Sequence, residues 1–334
     1  MDFLGVFTKE YETKFVLDDL RAAMREFGKY ELYECDRPKP PPPAELALRI
    51  AGADVILTGW PTPVLPVEIL DAPGRRLKYI CHLAGQVSPF MPRRFLEAGV
   101  LVTNWGDAAI WTFAEGNVAL MLACLKEMHR IRPHMLTGPG RTFPYSHPAP
   151  TLREKTVGFV GFGAIARTLV DMLRPFLCKF IAFDPYTTGL PDGVERRRSL
   201  EEVFSQADIV TVQCGLTPQT TGMIGMEHFS LLRPHAIFIN TARGRIIRQA
   251  ELIEFLKGRP DVMAGIDVYE SEPVPADCEL PKLPNAICYP HCIGHGGEVF
   301  DRLVSRTAAA NIRAFCSGGQ VKHVITAEKF DRMT

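Results

Sequence analysis

The stretch Thr156-Val157-Gly158-Phe159-Val160-Gly161-Phe162-Gly163-Ala164-Ile165-Ala166 decides the fold of this chain. It reads as a short apolar strand, a glycine turn and the opening of a helix, the arrangement that sets a diphosphate against a helix N-terminus. Gly161 suits the tight turn, and Gly163 lets the backbone approach phosphate. Ala166 takes the third small position, where helix and strand pack closely. The motif alone is weak, but its context strengthens it. The next apolar run, Phe180-Ile181-Ala182-Phe183, ends at Asp184, close to the ~20-residue spacing at which a carboxylate meets an adenosine ribose.

Working outward, strands are expected near 157–161, 180–184, 208–213, 236–240, 263–268 and 286–289, the six of a doubly wound dinucleotide-binding sheet. Ser199-Leu200-Glu201-Glu202 is a capping box opening one intervening helix. The helix from Gln249 to Lys257 stops at Gly258, and one from Glu298 to Phe315 stops at Gly318-Gly319. Towards the N-terminus, Phe3 to Phe7, Tyr30 to Tyr33, Asp54 to Thr58, Leu77 to His82 and Val100 to Thr103 are apolar strand-like runs, with a helix over Val16 to Phe27. Strands alternating with helices imply parallel sheets in an α/β protein. One long apolar helix is expected from Thr112 to Ile131, and the proline-rich segment from Arg132 to Pro150 as an ordered loop.

A length of 334 residues favours two domains, and 46% hydrophobic with 23% charged residues matches an ordinary globular composition. With 38 basic and 38 acidic residues there is no global field to draw in nucleic acid or an anionic membrane. Small molecules are the expected partners. Nine unpaired-looking cysteines, no basic n-region and no long apolar run point to a reducing, cytoplasmic setting without a membrane span. Cys288, His291 and Cys292 sit on one short segment without a second cluster, so no metal site is expected.

In an open parallel sheet, ligands bind beyond the carboxyl ends of the strands. Four loops there carry unusual residues: Cys214 to Thr220, Thr241-Ala242-Arg243-Gly244, Glu270-Ser271-Glu272-Pro273, and His291 after Pro290. An arginine, a carboxylate and an imidazole thus converge on one edge. Reducing a ketone by hydride creates an alkoxide that must be protonated, and histidine, with its reference pKa of about 6.5, suits that task. A carboxylate such as Glu272 fixes the imidazole tautomer, and the planar fork of Arg243 suits a substrate carboxylate and the neighbouring carbonyl. Each residue also has a plainer reading. Arg243 as a surface pair, Glu270 and Glu272 as solvated loop charges, His291 as a satisfied histidine, Asp184 as a turn cap and Asp267 as a buried structural acid are all open at this point, and His295 ranks below His291.

At these residues the chain resembles the D-2-hydroxyacid dehydrogenase family. The glycine motif, Leu216-Thr217-Pro218-Gln219-Thr220, Ile239 to Gly244, Gly265-Ile266-Asp267-Val268-Tyr269-Glu270-Ser271-Glu272-Pro273 and Pro290-His291 follow the family's signatures in order. Val102-Thr103-Asn104 and Phe113-Ala114-Glu115 are similar to its first interdomain crossing and the start of its long helix. The resemblance implies a central NAD-binding Rossmann domain over 107–296, a discontinuous substrate domain of 1–106 plus 297–334, a cleft between them and a homodimer through the cofactor domain. It places the catalytic roles on Arg243, Glu272 and His291. Cofactor contacts fall on Gly161, Gly163, Ala164, Ile165, Asp184, Pro185, Cys214, Gly215, Thr220, Thr241, Ala242, Arg243, Asp267, His291 and Gly294. Substrate contacts fall on Ala84, Gly85, Gln86, Arg243 and His291.

The implied reaction is NAD-dependent interconversion of a D-2-hydroxy acid and its 2-keto acid. Asp184, with Pro185 and Tyr186 after it, favours NAD over NADP, although Arg196, Arg197 and Arg198 lie within reach of a returning loop. The family's substrate loop is replaced by Ala84-Gly85-Gln86-Val87-Ser88, which lacks its aspartate, and Gln213 stands where many relatives have histidine. Amides at Gly85 and Gln86 still suit a carboxylate. A redox-sensing corepressor-like binding protein and a formate- or phosphite-type dehydrogenase are the alternatives on the same fold.

Overall fold

The computed structural model describes residues 1–130, 136, 150–294 and 296–332. The chain divides into two compact units, Met1–Ala109 with Gly296–Thr334, and Ile110–His295. The expected loop over Arg132 to Pro150 falls almost wholly outside the described residues, as does His295.

The first unit is a five-stranded parallel sheet of β1 (Asp2–Phe7), β2 (Lys29–Glu34), β3 (Val55–Thr58), β4 (Tyr79–His82) and β5 (Leu101–Thr103), in the order β2-β1-β3-β4-β5. The central strands are buried along their whole length, as parallel strands covered on both faces must be. Two helices, Lys9–Phe15 and Asp18–Phe27, follow β1; the second is the helix expected over Val16 to Phe27, starting two residues later. Thr8 caps the first through its hydroxyl. Helix Gly297–Cys316 packs on Asp18–Phe27, with Arg306 to Asp19 at 3.0 Å and Arg313 to Glu26 at 3.1 Å, and Ile325 donates to the Val102 carbonyl beside β5.

Among the described residues the second unit has seven parallel strands rather than the six expected: β6 (Thr156–Val160), β7 (Lys179–Phe183), β8 (Val194–Arg196), β9 (Ile209–Val212), β10 (Ile237–Asn240), β11 (Met263–Ile266) and β12 (Ala286–Cys288), in the order β12-β11-β10-β9-β6-β7-β8. The additional strand, β8, is three residues long, two of them charged, and lies on the sheet edge, so it carries no apolar run to announce it. The order reverses between β6 and β9, which is the switch point where such sheets bind ligands. In helix Ala164–Leu173, Ala166, Leu169, Val170 and Leu173 recur at helical spacing and are buried against this sheet. Phe159 beneath them is fully buried, a burial that stabilises by roughly 1.5–3 kcal/mol.

The long apolar helix runs from Ile110 to Leu125 and stops short of Ile131, because the chain turns at Lys126 and Glu127, where φ reaches +47°. Residues 106–125 are long and apolar enough, by length and composition, to cross a bilayer. Leu120, Met121 and Cys124 lie in the core with Val157, Phe159 and Ile239, the packing of a core helix.

Candidate active site

The glycine turn follows β6 at the switch point. Gly161 has φ +88°, and a Cβ there would lie 2.7 Å from the backbone of Cys214, so both its conformation and its contact require glycine. Gly163 is the N-cap of Ala164–Leu173 and forms no side-chain cap bond. A Cβ on Gly163 would meet no protein atom within 4 Å. The first amides of this ten-residue helix, at Ala164 and Ile165, have no carbonyl four residues back within the helix, so the turn offers an approachable set of donors for an anion.

Asp184 stands at the end of β7. Its carboxylate accepts from the amide of Phe162 at 2.7 Å, from Tyr186 at 2.8 Å and from Thr187 at 2.9 Å, tying the glycine turn to the loop that begins with the exposed Pro185. Burial pushes its pKa up, but the three amides outweigh it and hold the carboxyl below the usual carboxylate range. The fold does bring Arg196 back to this loop, where its guanidinium donates to the carbonyls of Asp184 at 2.9 Å and Thr187 at 2.6 Å.

After β9, Cys214 backs the glycine turn, and burial pushes its thiol up to about 12. Thr220 then folds the loop on itself, accepting from Thr217 and donating to the Gly215 carbonyl, both at 2.7 Å. After β10, the buried Asn240 accepts from Ala242 and donates to the Arg243 carbonyl. A Cβ on Gly244 would lie 1.9 Å from the backbone carbon of Tyr269, so the loop bearing Arg243 lies directly on the loop bearing Glu272.

That contact assembles the trio. One oxygen of Glu272 accepts from the amide of Tyr269 at 2.9 Å, and the other lies 2.7 Å from Nδ1 of His291. Desolvation pulls the half-buried Arg243 guanidinium below its ordinary pKa, while the charge of Glu272 works against that. His291 itself has φ +55°, an uncommon conformation in which histidine is enriched. Asp267 is buried at the end of β11 and accepts from the amides of Cys292 and Ile293 at 2.9 and 3.2 Å, so it pins the turn that carries His291. Gly294 closes that turn against the ring of Phe113, with Thr112 donating to its carbonyl at 2.9 Å. All three residues therefore sit in one unit, on loops leaving consecutive strand ends, with the imidazole Nε2 left for chemistry by the bond at Nδ1.

One organising residue was not singled out from the sequence. Asn117, buried in the helix Ile110–Leu125, accepts through its single Oδ1 from Thr211, Gln213 and Thr241 at 3.2, 2.9 and 3.0 Å. It gathers the ends of β9 and β10, and it gives the atypical Gln213 its partner. A lone amide in an apolar helix was the available signal.

In the first unit, Ala84 to Ser88 follow β4. The amides of Gly85 and Gln86 make no hydrogen bond among the described residues. The Gly85 carbonyl accepts from Asn104 at 2.7 Å, that of Ala84 accepts from Trp105 at 3.1 Å, and the Gln86 side chain donates to Ser88 at 3.0 Å. Beneath the loop, His82 holds the Thr58 hydroxyl through Nδ1 at 2.8 Å, and burial pulls its pKa down to about 3, so it stays neutral.

A sequence profile described as "D-isomer specific 2-hydroxyacid dehydrogenase, NAD binding domain" matches residues 118–292. The chain is 28% identical over 318 residues to human glyoxylate reductase/hydroxypyruvate reductase, covering 93% of the chain and 95% of that relative. It is 30% identical over 284 residues to D-3-phosphoglycerate dehydrogenase of Methanocaldococcus jannaschii, covering 84% of the chain and 53% of that longer protein. The glyoxylate reductase structure from Paecilomyes thermophila shares the fold with a TM-score of 0.82 at 21% identity, over 98% of this chain and 99% of that one.

Proposed function

The chain belongs to the D-isomer specific 2-hydroxyacid dehydrogenase family, and on that premise we propose that it interconverts a D-2-hydroxy acid and its 2-keto acid, with His291 as the acid/base. The observation that carries this reading is the 2.7 Å contact between His291 Nδ1 and Glu272, because a carboxylate at Nδ1 fixes the tautomer that presents Nε2 to the substrate oxygen. Arg243 supplies a fork for the substrate carboxylate and polarises the adjacent carbonyl. The nicotinamide, when bound, supplies or accepts the hydride. Its diphosphate is held at Gly161, Gly163, Ala164 and Ile165, and the other cofactor contacts come from the loops bearing Asp184 and Pro185, Cys214 to Thr220, Thr241 and Ala242, and Asp267 to Gly294. The glycine turn supports this fit, since it exposes helix amides and leaves room beside Gly163.

NAD is the proposed cofactor rather than NADP. The ionised Asp184 carboxylate repels a 2′-phosphate, and the Arg196 guanidinium beside it is already engaged with two backbone carbonyls. The retained His291–Glu272 pair supports turnover over cofactor sensing alone, and a homodimer through the second unit completes the proposal. NADH oxidation is to be followed against glyoxylate, hydroxypyruvate, pyruvate and bulkier 2-keto acids, with His291→Ala alongside. Turnover by wild type and its loss in a variant that still binds NADH is the expected result; absence of turnover with every keto acid sinks the reading.

A further inference from the structure

Strand β8 sets an arginine beside the end of β7. In the pairing of the two strands Arg196 stands opposite Ala182, and the amide of Arg197 donates to the Ala182 carbonyl at 2.7 Å. That register fixes the backbone of Arg196 next to the loop Asp184-Pro185-Tyr186-Thr187. Its guanidinium spans the loop, with Nη1 donating to the carbonyl of Asp184 at 2.9 Å and Nη2 to that of Thr187 at 2.6 Å. A planar fork holds two acceptors at once, which the point charge of a lysine does less well. Arg196 forms no ion pair among the described residues, whereas Arg197 beside it is spent on Glu195 and Gln206.

The loop inside that span is wound round its own carboxylate. Oδ1 of Asp184 accepts from the amides of Tyr186 and Thr187, and Oδ2 accepts from the amide of Phe162. Thr187 Oγ1 donates in turn to the Phe162 carbonyl at 3.2 Å. Phe162 lies between Gly161 and Gly163, so the loop and the glycine turn form one hydrogen-bonded unit. Thr187 is gripped at both ends of its backbone, by Asp184 at its amide and by Arg196 at its carbonyl. An ionised carboxylate offers about four acceptor positions. Three are filled by amides, and the open one, on Oδ2, is the edge left for an incoming hydroxyl.

Resting on the proposed use of NAD, we infer that Arg196 is a cofactor-positioning residue: by bridging the Asp184 and Thr187 carbonyls it holds the loop proposed to meet the ribose in the shape that presents the open edge of the Asp184 carboxylate, before the cofactor arrives. Arg196 acts on loop backbone and takes no part in hydride or proton transfer. Ordering a loop in its bound shape ahead of binding raises affinity by removing an entropic cost. The gain is shared by ground state and transition state, so it falls on KM for the cofactor and leaves kcat alone.

The test titrates NADH and NADPH by fluorescence into wild type, Arg196→Met and Arg196→Lys, and measures kcat and KM for NADH with the keto acid that turns over fastest. Arg196→Met keeps the apolar stem and removes the fork. Its Kd and KM for NADH are expected to rise about tenfold, while kcat at saturating NADH and the thermal midpoint stay near wild type. Arg196→Lys recovers part of the affinity. NADPH affinity falls by the same factor as NADH affinity, because the loop has lost its anchor and no phosphate contact is involved. An unchanged Kd for NADH in Arg196→Met overturns the inference. A loss confined to NADPH also overturns it, by making the guanidinium a phosphate ligand, and so does a joint fall of kcat and thermal midpoint, by making Arg196 a purely structural residue. If no keto acid turns over, the dehydrogenase reading is lost and the NADH titration still decides the role of Arg196. Turnover with equal NADH affinity in wild type and Arg196→Met removes this inference alone.

Discussion

Nδ1 of His291 lies 2.7 Å from Oε2 of Glu272, while the other oxygen of the same carboxylate accepts from the Tyr269 amide. The glutamate is thus held by backbone on one side and orients an imidazole on the other. Positioned acid–base groups contribute on the order of 10²–10⁴-fold to rate. Glu272→Ala is expected to lower kcat with a keto acid by about 10²-fold while NADH affinity, measured by fluorescence titration, changes little. A variant that keeps wild-type kcat removes Glu272 from the mechanism.

The two glycines of the turn are expected to fail differently. Gly161→Ala forces a Cβ into the backbone of Cys214 at φ +88°, so a loss of about 1–3 kcal/mol of stability is expected, read as a lowered thermal midpoint. Gly163→Ala meets no protein atom within 4 Å. It is expected to melt close to wild type yet bind NADH more weakly, because the new methyl would stand in the proposed path of the diphosphate. Equal NADH affinity in wild type and Gly163→Ala contradicts the placement of the phosphates.

Asn117→Ala leaves Thr211, Gln213 and Thr241 without the oxygen they share. A buried polar group that loses its partner costs about 1–3 kcal/mol, and Asn117 is 1% exposed. Chemical denaturation is expected to show a loss at the upper end of that range. A change below about 0.5 kcal/mol means that the network is dispensable.

Asp184 gives a pH-dependent signature. Three amides hold its folded pKa below the unfolded value of about 3.9, so its contribution is fully present above that pH and fades as the pH falls through the folded value. Asp184→Asn is expected to be less stable than wild type at pH 6, with the gap closing only below about pH 4. In kinetics the same variant should lose preference for NADH over NADPH. An unchanged cofactor ratio detaches Asp184 from ribose selection.

The α/β class, the glycine turn and the four loops with Arg243, Glu272 and His291 were legible in the linear chain. Apolar strands of four or five residues and helices with their caps are local, so periodicity and capping chemistry report them directly. The strand β8 was not legible, because Val194, Glu195 and Arg196 on an edge gain their strand character from pairing with β7 alone. The end of the long helix at Leu125 was also hidden, set by a left-handed Glu127 that no glycine or proline marks.

What the sequence by itself determined is which chemical groups are present and on which strand ends they are carried, since order along the chain and strand period fix both. Only the tertiary structure decided which groups meet. The backbone contact between Gly244 and Tyr269 brings the Arg243 loop onto the Glu272 loop. Asp267 then pins the turn bearing His291, and Asn117 reaches across from a helix to gather two strand ends. Trp60 and Trp105, far apart in sequence, meet in the same way, with Trp105 packed on Gly85. These are contacts between backbone segments or side chains with no local periodicity to betray them, created when neighbouring parallel strands bring their carboxyl ends side by side.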